Sequence, residues 1–120
     1  MASDHEKLLV WQKGMIFVTE IYQATQGFPK EEIYGLTSQM RRSAISIPSN
    51  IAEGKGRYTV GEFRQFLIQA RGSLLELETQ IQIAGNLGYL KTKKMDELKI
   101  KAVEIGRMLN GLIDAVSRRK

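Results

Sequence analysis

Thr59-Val60-Gly61-Glu62-Phe63-Arg64-Gln65-Phe66-Leu67-Ile68-Gln69-Ala70 opens a run with apolar residues at Val60, Phe63, Leu67, Ala70, Leu74, Leu77, Ile81 and Ala84. The steps alternate three and four without a fault, the period of an α-helix with one buried stripe. Thr59 and Glu62 stand in capping-box spacing at its start. A second run, Met95, Leu98, Ala102, Ile105, Leu109, Leu112 and Val116, keeps the same steps. Strict heptads in two successive segments predict helices crossing at about 20° in coiled-coil fashion. Gly85-Asn86-Leu87-Gly88-Tyr89 closes the first run and Thr92 can cap the second, a link short enough only for antiparallel neighbours.

Upstream, a helix is expected from about Asp4 to Gln26. It carries two adjacent apolar rows, Leu8, Trp11, Met15, Val18, Tyr22 and Val10, Gly14, Phe17, Ile21. Gly27 is placed to cap it and Phe28-Pro29 to stop it. The next helix is expected from about Lys30 to Glu53, with Ile33, Leu36, Met40, Ala44, Ile47 and Ile51 inward. Pro48 removes an amide donor there and crowds the Ala44 carbonyl, so a kink at Pro48 or a break at Ile47 is expected. Gly54 and Gly56 should end that helix. The expected fold is an all-α, antiparallel up-down four-helix bundle of one domain, residues 1–120, with helices reaching about 36 to 44 Å.

The chain has 120 residues, 42% of them hydrophobic, enough for one small core. With no cysteine and one histidine it offers no disulfide framework or thiolate metal site, and no metal or other cofactor is expected. The start of the chain has no signal-like apolar segment. The apolar runs Leu8 to Trp11 and Met15 to Val18 fall far below the roughly 20 residues of a membrane span, so a cytoplasmic protein is expected, with no membrane partner. Glu76 and Glu78 stand two apart and point in different directions, His5 near the terminus is expected to be exposed, and no nucleophile elbow is present. Enzymatic activity has no support.

The formal charge is +5. The excess lies in the last quarter of the chain, at Lys91, Lys93, Lys94, Lys99, Lys101, Arg107, Arg118, Arg119 and Lys120. Lys94 and Lys101, seven apart, are expected to share a face away from the heptad seam that can track a phosphate backbone. A solubilising helix face would look the same, and few aromatics accompany the block, so base stacking is not indicated. Lys55 and Arg57, in Gly54-Lys55-Gly56-Arg57, lack phosphate-loop spacing; they make either an anion site beside the next helix or a solvated turn.

Between these lies a polar stripe, Gln39, Arg42, Ser46, Asn50 and Glu53. One reading is an interhelical hydrogen-bond ladder, with Ser46 and Asn50 bonding the third helix and Arg42 pairing with Glu76 or Glu78. The other is a small-ligand site around Arg42, Asn50, Glu53 and Glu76.

Together these residues resemble a known family. Val10-Trp11-Gln12-Lys13, Ile21-Tyr22, Phe28-Pro29 and Tyr34-Gly35-Leu36-Thr37 carry the likeness, followed by Gln39, Arg42 and Ser46 through Gly54. It continues in Arg57, Phe63, Phe66-Leu67, Ala70-Arg71-Gly72-Ser73, Glu76 and Leu87-Gly88-Tyr89. The pattern is similar to the bacterial 23S ribosomal RNA intervening-sequence (S23) proteins. The resemblance implies a four-helix bundle closing into a ring, a homopentamer, and kinship with accessory proteins of diversity-generating retroelements. It supplies no biochemical activity. A non-catalytic oligomer binding structured RNA or DNA through the basic residues is the expected function, and a protein–protein adaptor is the alternative. Outward Ile68 and Leu75, one heptad apart, fit a second layer of packing.

Overall fold

In the computed structural model, which describes residues 4–119, the faultless heptad run forms the longest helix, α3 (Val60–Asn86). Lys120 of the expected cationic tail lies outside the described residues. The other helices are α1 (Leu9–Thr25), α2 (Leu36–Lys55) and α4 (Thr92–Ser117). Each packs on its neighbours in sequence, and α4 closes back on α1, while the diagonal pairs do not meet. The result is an up-down bundle of 47 × 24 × 23 Å. No helix among the described residues is long and apolar enough to cross a membrane.

The heptad positions of α3 from Phe63 to Ala84 are all buried, and those of α4 are buried at Leu98, Ala102, Ile105, Leu109 and Val116, with Ile113 added. In α1 the row Val10, Gly14, Phe17 and Ile21 is buried, with Thr25 one turn on. The second row is not: Leu8, Trp11 and Val18 are half-buried, and Met15 and Tyr22 are exposed. A helix in a four-helix bundle meets two neighbours, and one apolar row fills that angle. Contact between α1 and α4 is the thinnest in the bundle. They leave a cleft of about 200 Å³ floored by Phe17 and Ile105, bridged by Lys13–Glu104 at 3.1 Å and by Lys101–Glu20.

Several expected helix boundaries move. Asp4–Lys7 forms a separate 3₁₀ turn before α1, in which half-buried His5 meets the Trp11 ring edge-on at 5.2 Å rather than lying free in solvent. α1 is capped at Gln26, not Gly27. Lys30–Glu32 is another 3₁₀ turn, so α2 starts at Leu36 and Ile33 is exposed rather than in the core. The cause is local: Glu32 Oε1 accepts from the Leu36 N–H at 3.1 Å, and a Cβ on Gly35 would lie 2.6 Å from that oxygen. A Cβ there would push the carboxylate off its bond to Leu36. α2 then runs through Pro48, so of the two expectations, a kink there or a break at Ile47, the break does not occur; Pro48 is buried against Gly14 of α1. Gly54 lies inside α2 and does not end it: a Cβ there would lie 2.5 Å from Phe66 Cβ, so the glycine sets how closely α2 and α3 approach. Gly56 is the cap.

α3 ends as expected in the Gly85–Tyr89 stretch. Gly88 takes φ of 78°, with Gly88 N–H bonded to Gly85 O and Tyr89 N–H to Ala84 O, a Schellman motif. Thr92 is the first residue of α4; the cap is Lys91, without a side-chain bond.

Candidate nucleic-acid interface

The candidate cationic surface lies where α2 hands over to α3. Gly56 donates to Ala52 O and Arg57 N–H to Gly54 O, which turns the chain sharply after the last helical residue. Thr59, in extended backbone, accepts from Glu62 N–H at 3.1 Å, the first half of the expected capping box, while the Glu62 carboxylate reaches back to the Thr59 hydroxyl at 3.0 Å rather than to its backbone N–H. Arg57 and Tyr58 are thereby pushed out at the tip. The Arg57 guanidinium lies 4.8 Å over the Phe66 ring and 3.5 Å from Glu53; Lys55 Nζ stands 5.3 Å from the Phe63 ring centre. These aromatic faces hold both cations near the surface.

The end of α4 arrives beside them. Arg64 Nε donates to Ser117 Oγ at 2.6 Å, and that hydroxyl donates onward to Ile113 O. Arg118 and Arg119, both exposed, therefore leave the bundle next to the first turns of α3. Residues 55–57, 64 and 118–119 thus share one end of the molecule. Arg64 had no place in the expected set; only its bond across to Ser117 gives it one.

The rest of the basic block is dispersed. Lys91, Lys93 and Lys94 lie at the opposite end, one α4 length or about 39 Å away. Lys94 pairs with Glu97 at 3.4 Å, Lys99 bonds Gln82 and Lys101 bonds Glu20 of α1. Lys94 and Lys101 therefore do not form an open phosphate-tracking face; Lys101 turns to the α1–α4 seam, where a carboxylate meets it. Arg107 is exposed midway, beside exposed Ile100 and Val103. The sequence-contiguous block is not one surface in space.

The polar stripe also sorts itself. Ser46 Oγ meets Ser73 Oγ of α3 at 2.8 Å, and Glu76 accepts from Ser43 Oγ at 2.6 Å rather than pairing with Arg42. Asn50 Nδ2 donates back to Ser46 O and Oγ on its own helix, not across to α3. Glu53 pairs with Arg57. Arg42 makes no ion pair among the described residues and borders, with Gln39, Glu76 and Gln80, a groove of about 560 Å³. Ser43 sits one position from Arg42 but 100° around the helix, which is why it and not the arginine reaches Glu76.

At the far end the turns are tied together. The Phe28 and Tyr89 rings lie 5.3 Å apart, and the Tyr89 hydroxyl donates to Glu32 Oε2 at 2.8 Å. The Leu36 N–H first, and the Tyr89 hydroxyl second, hold the Glu32 carboxyl below its ordinary value; the same bond to Glu32 raises the Tyr89 phenol.

With this geometry in place, the family model described as 23S rRNA-intervening sequence protein matches residues 6–111. The chain belongs to the 23S rRNA-intervening sequence protein family. Among solved structures, its fold is similar to that of a protein of unknown function from the S23 ribosomal protein family of Bacteroides thetaiotaomicron. The TM-score is 0.82 at 20% identity, over 88% of this chain and 96% of that one. No curated protein matches it. The 23S rRNA-intervening sequence protein match spans all four helices and both ends of the bundle apart from the last residues of α4 and the Arg118–Arg119 tail.

Proposed function

We propose that this protein is a non-catalytic homo-oligomer, a ring of five, that binds structured RNA electrostatically, with DNA as the second polyanion of the same chemistry. The observation that carries this reading is the meeting of Lys55, Arg57, Arg64, Arg118 and Arg119 at one end, drawn from three separate stretches of chain. Glu53 is paired with Arg57, and Glu62 is held by Thr59, so neither carboxylate stands unengaged. Lys91, Lys93 and Arg107 add charge elsewhere. Exposed Ile16, Leu75, Ile100 and Val103 favour self-association, because apolar side chains on the outside of a packed bundle gain by cover. Five copies of a +5 chain carry about +25, a field strong enough to gather polyanions.

Fluorescence anisotropy of a labelled hairpin RNA at two salt concentrations tests the binding. Tight binding at low salt that weakens steeply as salt rises is the expected result. No binding, or binding indifferent to salt, overturns it. Light scattering should give five times the 13.6 kDa chain mass; a monomer mass removes the ring. The exposed Ile100 and Val103 beside Arg107 also favour the adaptor reading, in which the ring presents this strip to another protein. Capture of that partner by the purified ring after nuclease treatment, with no RNA binding, would select it.

A further inference from the structure

Tyr58 is exposed to its full extent, 103% of the reference value, at the tip of the α2–α3 turn. A ring in water with no neighbour contributes nothing to the fold, and the turn itself needs no aromatic: the helix start is supplied by Thr59 and the helix end by Gly56. Tyr34 is nearly as exposed, at 95%, in the turn before α2. The two differ in their surroundings. Tyr34 is preceded by Glu31 and Glu32, whose carboxylates offset Lys30. Tyr58 follows Arg57, whose guanidinium is steadied over Phe66, and shares its end of the bundle with Lys55, Arg64, Arg118 and Arg119. The carboxylates on that side are Glu53, paired with Arg57, Glu62, bonded to Thr59, Asp114, one turn before Arg118, and Asp4 and Glu6 in the 3₁₀ turn before α1, with Lys7 beside them.

An aromatic face among cations matches a nucleotide, whose base stacks while its phosphates meet positive charge. A base inside a duplex has both faces occupied, so the matching partner is unpaired. We infer that Tyr58 is a stacking platform for an unpaired base of folded RNA, with Arg57, Arg64 and the Arg118–Arg119 segment holding the phosphates on either side. Loops and bulges beside paired stems are where folded RNA offers such bases. The inference rests on the nucleic-acid reading above and specifies it: the stems supply charge, and the unpaired nucleotide supplies the contact at the turn.

The test uses the full chain and three labelled probes: a hairpin RNA with an unpaired loop, a fully paired RNA duplex of equal charge, and a DNA hairpin with the same loop. Tyr58→Ala is expected to weaken RNA-hairpin binding about tenfold while leaving duplex binding unchanged. Tyr58→Phe should keep the wild-type affinity, since the ring and not the hydroxyl stacks. Tyr34→Ala should leave all three probes unchanged. Far-ultraviolet circular dichroism should not distinguish the variants from wild type. An RNA-hairpin affinity unmoved by Tyr58→Ala, an equal loss on hairpin and duplex, or a loss confined to the DNA hairpin overturns the inference while the electrostatic reading stands. If the wild-type chain binds none of the probes at low salt, the proposed function itself falls, and Tyr58 is left to a protein partner.

Discussion

At one end of the bundle two connections, α1 to α2 and α3 to α4, lie against each other; at the other a single turn shares the end with the start of α1 and the end of α4. The difference follows from running four helices up and down, which must put two links at one end and one at the other. Two links can be bonded to each other, and here they are: Phe28 against Tyr89, Tyr89 to Glu32, Glu32 to Leu36, with Phe28 and Leu90 buried. The single turn has no such partner, so its side chains face water, and cations collect there without incurring the desolvation cost that burial would impose. One end stabilises the fold, and the other is available for contact.

The comparison breaks most visibly if an aromatic is removed from each end. Phe28→Ala should lower the unfolding free energy by about 3 kcal/mol, because a buried ring leaves a cavity. Tyr58→Ala should change it by less than about 0.5 kcal/mol. Urea titrations of both variants read the contrast, and a Tyr58→Ala loss as large as that of Phe28→Ala would erase it.

A smaller effect locates a tight contact near the open end. Gly54→Ala puts a methyl where Phe66 Cβ already stands, and forcing α2 from α3 should cost about 2 kcal/mol. Gly72, inside α3 with nothing within 4 Å, gives the counterpart: Gly72→Ala should stabilise by up to about 1 kcal/mol in the same assay. A neutral Gly54→Ala would show that α2 and α3 can separate at little cost there, and the open end would be looser than described.

The smallest effect is on pH. The folded-state Glu32 carboxyl titrates below its unfolded value, so the folded chain binds fewer protons in that window. Its stabilisation is complete above the unfolded value and is lost as pH falls through the folded one. Melting temperatures followed from about pH 6 to about pH 3 should therefore drop less steeply in Glu32→Gln than in wild type. Tyr89, raised by the same bond, gives the mirror image: its contribution is present at neutral pH and lost as alkaline pH passes the raised value. Identical acid limbs in the two proteins would mean that the tie between the turns does not persist in solution.

Much of this bundle was legible in residue order. The α3 and α4 heptads, the Thr59–Glu62 start and the Gly88 turn each depend on neighbours within a few positions, and all were found where the spacing put them. The misjudged features depend on what lies across the bundle. Met15 and Tyr22 have the right period for a core, but they stand at the outer edge of the α1–α2 seam, where the Tyr22 ring meets the Arg41 guanidinium of α2 at 4.5 Å and both side chains stay exposed. Gly54 looked like a terminator until Phe66 stood opposite it, and Arg42 looked like the partner of Glu76 until Ser43 proved better aimed. The cationic surface was the least legible. Nine basic residues in the last quarter of the chain read as one patch, yet the described ones are spread along the length of α4 over about 39 Å.

The sequence by itself determined four amphipathic helices, their antiparallel order and their family, because periodicity, capping and turn chemistry act between residues close in the chain. Tertiary structure alone decided which charges stand together. Arg64 reaches Ser117 across 53 positions, bringing the tail beside Arg57 and Tyr58, while Lys101 is spent on Glu20. Charges interact through space over about 10 Å, a range that packing sets and residue number does not.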